Sequence, residues 1–525
     1  MAYQGETILL PLGEFGLTGS QALSKVPPQA LLVASNISFD QDTIRKEGGA
    51  SKLNASAIGG GVRILGGWDW WPTIGAQRTI VYTSNGAIYK DSGGGTFSTT
   101  LMSGLSGTGV GVFCEAGAEA LALNRKLFFC NGMDVVKVIS GDAGITTDLL
   151  RPPSDWAGPQ QPICLAHHDG RLWGALGHRV YYSTADDHED FQDTDNAGTI
   201  AVGAGSGERI VQIMSYKGLL LVWKYPTGVY YVDTTDPQVA NWGVRRLSNS
   251  IGGVSPQGAV QVSDDVLFID QVGNFQLLSG IQEYGSVGLK NLSQLNFFAP
   301  FFRENTNRAQ LPNVRGIFYP EKLEAHFAVA QDGQSSNNAR VVVDFNRTGS
   351  ARFRWSPRDT CESLWLSKDT VTNILQPMAG DDAGFVWKLD RATFEKDGVG
   401  YLGEFQTPHL DFGWLGPEWA TRRKNGGFLE IVCDPTGQWI LSVDVYWDDV
   451  LTANLDFNVV PTGAVLGSFV LDTDTLGAPS SVSVRKRLPG SGKRLSLHFY
   501  NSDIDADFNI AQAYVSCTLG DERNV

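Results

Sequence analysis

The chain has 525 residues, too many for one ordinary hydrophobic core, so it reads as two or more domains or one large repeat domain. Hydrophobic residues make up 42% and charged residues 18%, which excludes a disordered chain. The net charge of −15 excludes a basic nucleic-acid-binding surface as the main function.

The 61 Gly beside 14 Trp, 15 Tyr and 26 Phe indicate tight turns joining aromatic-rich strands, an all-β signature. At the N-terminus "MAYQGETILLPLGEFG" has neither a basic n-region nor a long apolar h-region, and no 18-residue apolar run occurs anywhere. The expectation is a soluble chain with no membrane span and no signal-peptide export. Next, "SKVPPQALLVASNISFDQDTIRKEGGASKLN" has a Pro-Pro break, a short helical turn expected around Gln29 to Ala34, then strand and turn signals. Residues 1–60 are therefore set apart as an N-terminal arm or interface segment.

From residue 61 the sequence repeats. Hairpin-like units start at Arg78 ("RTIVYTSNGAIYKD"), Arg125 ("RKLFFCNGMDVVKVI"), Gly170 ("GRLWGALGHRVYYST"), Gly218 ("GLLLVWKYPTGVYYVD") and Asp265 ("DVLFIDQVGNFQLLS"). Each is an apolar strand, a turn carrying Gly and a second strand rich in aromatic or β-branched residues. Looser units follow at Glu324 and Asn373. The spacing of about 46 residues is that of a four-stranded propeller blade. Residues 61–399 are accordingly expected to form a β-propeller of about seven blades, with six to eight open. A pair of unrelated β-sandwiches is the alternative, disfavoured by the shared order within the units.

Beyond residue 400 the period is lost. "GGFLEIVCDPTGQWILSVDVYWDD" alternates around a Pro-Thr-Gly turn and "SVRKRLPGSGKRLSLHFYNSD" around Pro-Gly-Ser-Gly-Lys, so both read as antiparallel hairpins. Residues 400–525 are expected to form a separate, sandwich-like C-terminal β domain.

Several motifs could carry chemistry. "YYSTADDHEDF" places Asp186, Asp187, His188, Glu189 and Asp190 behind an apolar strand. Clustered carboxylates beside an imidazole can hold a cation or share acid and base work. The spacing lacks the alternating oxygens and Gly of an EF-hand loop, so a polar blade connection with turn-capping Asp residues is the preferred reading. Tandem His167 and His168 fall on opposite faces of a strand and are read as packing residues. The six cysteines, Cys114, Cys130, Cys164, Cys361, Cys433 and Cys517, form no zinc pattern and read as buried free thiols made in a reducing compartment. The run "GGWDWWP" at 66–72 suits either a sugar-stacking platform or an interface or core plug, the latter preferred. Glycine runs at 58–61 and 92–95 read as turns. G-x-S-x-G, H-E-x-x-H and P-loop patterns are missing, as is the sialidase Asp box S-x-D-x-G-x-T-W. No catalytic, cofactor or metal residue is assigned, and the expectation is a chain that is not an enzyme.

The stretches "LPLGEFGLTGS", "VPPQALLVASNISFDQDTIRKEGGASKLN", "GGWDWWPTIGAQRTIVYTSNGAIYKD" and "YYSTADDHEDF" together resemble tail tubular or nozzle proteins of short-tailed, podovirus-like bacteriophages, which are related to packaged-DNA stabilisation tail proteins. The resemblance covers roughly residues 8 to 250. It implies a homo-hexameric ring below the portal and adaptor, with contacts to tail fibres or spikes. DNA would pass through its lumen without specific binding, and the protein would reside in the virion tail after assembly in the host cytoplasm. Two alternatives stand beside it. A propeller glycosidase or depolymerase acting on host glycans needs two carboxylates roughly 5 to 10 Å apart in an axial pocket. A carbohydrate-binding adhesin would use "GGWDWWP" as its platform.

Overall fold

The computed structural model describes residues 6–520 apart from 20–25, 41–42, 74–75, 118–124, 186, 206, 280–287, 296–297, 348–350, 435–438 and 460–480. The fold is all-β, a β-propeller joined to a two-sheet sandwich. Each hairpin expected between residues 78 and 395 is the central pair of a unit of four strands paired in succession. In the first blade, for example, Ala76–Thr83 and Ile88–Lys90 are flanked by the inner strand Ile64–Thr73 and the outer strand Thr99–Met102. The inner strands of the following sheets are Val112–Ala116, Cys164–His168, Arg209–Tyr216, Ala259–Val262, Arg315–Tyr319 and Ser363–Lys368.

Hydrogen bonds tie these inner strands to their neighbours. The Gln212 side chain donates to Ala259 O (2.9 Å) and accepts from Ala259 N (2.7 Å). Gly316 N donates to Gln257 O at 2.8 Å, and Ser363 Oγ donates to Ile64 O at 2.8 Å, bringing the last blade against the first. The outer strand of that last blade comes from the other end of the chain: Gly49–Lys52 pairs antiparallel with Val386–Arg391. Opening the ring therefore requires breaking a strand pair and not merely separating packed side chains.

The expectation of about seven blades, with six to eight open, meets six four-stranded sheets that stand alone among the described residues. The seventh meander, spanning 315–356, fills the ring position between the sheets that begin at 259 and 363, but its last strand, Arg352–Ser356, continues by parallel pairing to Val33–Ser35 and belongs to an eleven-stranded sheet. That sheet runs on through Gly403–Gln406, Leu495–Asn501, Trp439–Trp447 and Val450–Val459. Facing it is a seven-stranded sheet ordered Val482–Arg487, Lys424–Cys433, Asn509–Leu519, Thr43–Lys46 and Ile37–Asp40, with Glu6–Leu9 also on Asn509–Leu519 and Ser491–Gly492 also on Lys424–Cys433.

Four expectations are corrected. Residues 29–34 form no helical turn: Ala30–Leu31 pairs with Gly16–Leu17 and Val33–Ser35 with Gly403–Gln406. A helix this short is marginal by itself, whereas the sheet edges supply backbone partners at once. The boundary at residue 60 is not structural, because the N-terminal segment supplies strands to both sheets of the sandwich and to the last blade. Neither C-terminal hairpin forms. Lys424–Cys433 and Trp439–Trp447 lie in opposite sheets, as do Val482–Arg487 and Leu495–Asn501; the Pro-Thr-Gly turn itself is outside the described residues. Leu429, Ile431 and Cys433 on one strand and Leu441, Val443 and Val445 on the next are all buried in one cluster. A crossover between sheets lets both apolar faces share that core. The hairpin that does form joins Trp439–Trp447 to Val450–Val459 through Asp448 (φ 48) and Asp449 (φ 68), two left-handed residues in a two-residue turn.

Candidate functional site among the inner strands

"GGWDWWP" lies on the first inner strand, where five inner strands converge on a cavity of about 510 Å³. Gly67 is required there because a Cβ would sit 2.3 Å from the Trp365 ring of the last blade. Trp70 is fully buried within its blade, while Trp68 and Trp71 are half-buried and line the cavity with Phe318 and Trp365. One carboxylate joins them. Asp69 Oδ2 accepts from Gln77 Nε2 (2.9 Å), Lys368 N (2.9 Å) and Trp71 Nε1 (3.3 Å), and Oδ1 is buried with no donor among the described residues. Burial pushes the Asp69 carboxyl above its ordinary range, against these hydrogen bonds. On the next inner strand Glu115 pairs with Arg125 at 2.7 Å. The cavity lining thus holds one carboxylate, where glycosidic cleavage uses two flanking the bond.

The acidic loop is held by cations from the preceding blade and its connection. Glu189 is ion-paired with Lys126, and Asp190 Oδ2 accepts from Arg151 Nη1 at 2.7 Å. Asp190 Oδ1 caps the following turn, accepting from Gln192 N (2.9 Å) and Asp193 N (3.2 Å), and Asp187 Oδ1 accepts from Glu189 N (3.1 Å). His188 lies over His167, ring centroids 5.3 Å apart; Asp186 is outside the described residues. Among the described residues no group of three or more His, Cys, Asp and Glu side chains is arranged to hold a metal ion.

His168 is buried and bridges two blades, Nδ1 2.8 Å from Ser215 Oγ and Nε2 2.7 Å from Thr234 Oγ1, while its neighbour His167 is exposed. All six cysteines are buried and free. Burial pushes the Cys114, Cys164, Cys433 and Cys517 thiols up to about 12, so they are protonated at neutral pH. The glycine runs are turns: Gly59, Gly60 and Gly61 have positive φ, and Asp91 Oδ1 accepts from Gly93 N and Gly95 N.

The most elaborate polar cluster was not anticipated. Glu47, Glu324, His326, Arg340, Arg354, Arg358 and Asp359 are sealed where the seventh meander meets the N-terminal segment and the sandwich. Glu47 Oε1 accepts from Arg354 Nη1 (2.6 Å) and Arg340 Nη2 (3.1 Å), and Oε2 from Ser356 Oγ (2.7 Å). Arg354 Nη2 donates to Glu324 Oε2 (2.7 Å), and Arg340 Nη2 to Asp359 Oδ2 (2.5 Å). His326 receives Arg340 Nη1 on Nδ1 (2.8 Å) and lies 2.9 Å from Glu324 through Nε2. Burial alone would raise the Glu47 carboxyl; Arg340, Arg354 and Arg358 outweigh it and hold Glu47 well below the carboxylate range. Next to the cluster, Lys46 Nζ donates to Asn501 Oδ1 (3.1 Å) and Asp503 O (3.0 Å), and burial pulls it down to about 8. The available signal was the alternation of Arg with apolar residues in "RFRW", which puts cations on one strand face.

No family model matches the chain, and no curated protein matches it. Solved structures resemble it distantly. YCF48 from Cyanidioschyzon merolae aligns at 8% identity over 65% of this chain and 98% of its own, with a TM-score of 0.39. The computationally designed Ika8 protein aligns at 10% identity over 65% and 99%, TM-score 0.36. PorZ, an essential bacterial surface component of the type-IX secretion system of Porphyromonas gingivalis, aligns at 12% identity over 78% of this chain and 46% of its own, TM-score 0.36.

Proposed function

We propose that this chain is a structural subunit of a short-tailed bacteriophage tail nozzle, a ring below the portal and adaptor through which DNA leaves during ejection. The observation that carries the structural part of this reading is the sealed cluster around Glu47. Its charges are buried and paired with one another; they fix the propeller to the sandwich, as a subunit needs when its two domains must hold one mutual geometry under load. The phage assignment rests on the sequence stretches quoted above. The net charge of −15 per subunit suits a conduit to which DNA must not adhere, since like charge at a lumen wall repels phosphates.

The test is electron microscopy of the purified protein and of purified tails. A six-fold ring with a through-channel that contains this chain is the expected result. A stable monomer that never appears in virions would sink the reading.

A further inference from the structure

Independently of any ring, we propose that the cavity among the inner strands is a binding site for a pyranose ring of a glycan, which it holds without cleaving. The geometry points to this class of ligand by its mixture of rings and a few polar groups. The lining is mostly apolar, with Trp68, Trp71 and Phe318 half-buried around the space, and its polar residues are Asp69, Gln257, Gln261 and Lys368. A pyranose has the complementary design, with an apolar C–H face that lies on an indole and a rim of hydroxyls that donate and accept. A wholly apolar ligand would cover the exposed Gln261 side chain and return no hydrogen bond.

Size agrees with this choice. At about 510 Å³ the cavity falls within the range of small-molecule sites and takes one or two sugar rings, not a folded partner. Asp69 is already oriented by the three donors on Oδ2, and the exposed Gln261 side chain supplies an amide at the lining for a sugar hydroxyl. Alternation along the strand puts Gly67, Asp69 and Trp71 on the face that lines the cavity, with Trp71 Nε1 donating to Asp69 Oδ2, and Trp68 also reaches the lining. Hydrolysis is not part of the proposal, because the lining supplies a single carboxylate.

The experiment titrates the full chain with free hexoses, N-acetylhexosamines and hexuronates, then with oligosaccharides built from them. Binding is read by intrinsic Trp fluorescence and calorimetry, and new reducing ends are assayed in parallel. We expect saturable binding by at least one sugar class. Trp71→Ala should weaken it by roughly tenfold or more. Trp414→Ala, an exposed Trp on the sandwich, should leave it unchanged. Trp68→Phe, which keeps a stacking face, should retain most of the affinity and guards against a Trp71 variant that fails to fold. No saturable binding across the panel, equal affinity in wild type and folded Trp71→Ala, or release of new reducing ends would each overturn the proposal.

Discussion

Glu47 and Arg354 meet at 2.6 Å, each almost wholly buried, although 307 residues separate them in sequence. The pair joins the N-terminal segment to the outermost strand of the seventh meander, whose sheet continues into the sandwich. Glu47→Gln keeps the shape and removes the charge, leaving Arg340, Arg354 and Arg358 facing one another with only Asp359 and Glu324 as counter-charges. Loss of one partner from a buried ionic group costs about 3 to 5 kcal/mol. Urea unfolding should show a lower midpoint with the slope unchanged, their product falling by that amount; a change under about 1 kcal/mol would mean the cluster relaxes to water and does not lock the junction.

The same cluster sets the response to acid. Glu47 and Glu324 are held below their ordinary value of 4.5, so their stabilisation is complete above that value and is lost as pH falls towards the folded-state values. Burial holds His326 below its ordinary 6.5, so the unfolded chain takes up that proton first, and stability starts to fall below about pH 6.5. Asp507 works in the opposite sense: burial raises it to about 6, so its protonation favours the fold as pH drops. The cluster has four groups with the first sign, Asp359 included, of which only His326 acts above about pH 5. The stability difference between wild type and His326→Gln should therefore shrink as pH falls from about 7 to 5, and the steeper loss from the carboxylates should follow below about pH 4.5. A difference that does not change between about pH 7 and 5 would refute the assignment of His326.

What could be read from the sequence was what is local. "RTIVYTSNGAIYKD" contains its own alternation and its own glycine turn, so the two central strands of a blade announce themselves, and six further copies repeat the signal. Closure of the ring was not readable, because Gly49–Lys52 is a strand only by virtue of Val386–Arg391, more than 300 positions away. Glu47 in "RKEGGA" has the composition of an exposed turn, and its burial depends on Arg340 and Arg354, 293 and 307 residues on. The C-terminal alternation did show strands, but alternation cannot distinguish a partner beside a strand from one across the core, so two sheet crossovers read as hairpins. At the cavity among the inner strands the aromatic run was visible, and the lone carboxylate among its neighbours was too. Gln77 and Lys368, which orient that carboxylate, gave no sign of it.

Packing between the first and last blades depends on Gly67. A methyl group there would meet the Trp365 ring at 2.3 Å, well inside contact distance, while the backbone conformation itself accepts alanine. Gly67→Ala should thus destabilise by about 1 to 3 kcal/mol through overpacking alone. In a double-mutant cycle with Trp365→Leu, the glycine substitution should cost much less, because the smaller side chain vacates the space. Additive effects would show that the strain is relieved by backbone movement and that the blade contact is softer than its geometry implies.

The acidic loop offers a test of whether its charges need an ion. Lys126 and Arg151 already neutralise Glu189 and Asp190, and Asp190 Oδ1 is used by two backbone amides. Calcium or a chelator should accordingly leave the thermal midpoint unchanged. The protein partners should differ in weight: Arg151 is mostly exposed, so Arg151→Ala should cost under about 1 kcal/mol. Asp190→Ala also uncaps a turn and leaves amide donors unmet, at a cost of about 1 to 3 kcal/mol. Asp190→Asn keeps an acceptor for those amides and should fall between the two. If calcium instead raises the midpoint, and Asp190→Asn abolishes that rise, the loop is a cation site and its carboxylates are not merely a clasp between blades.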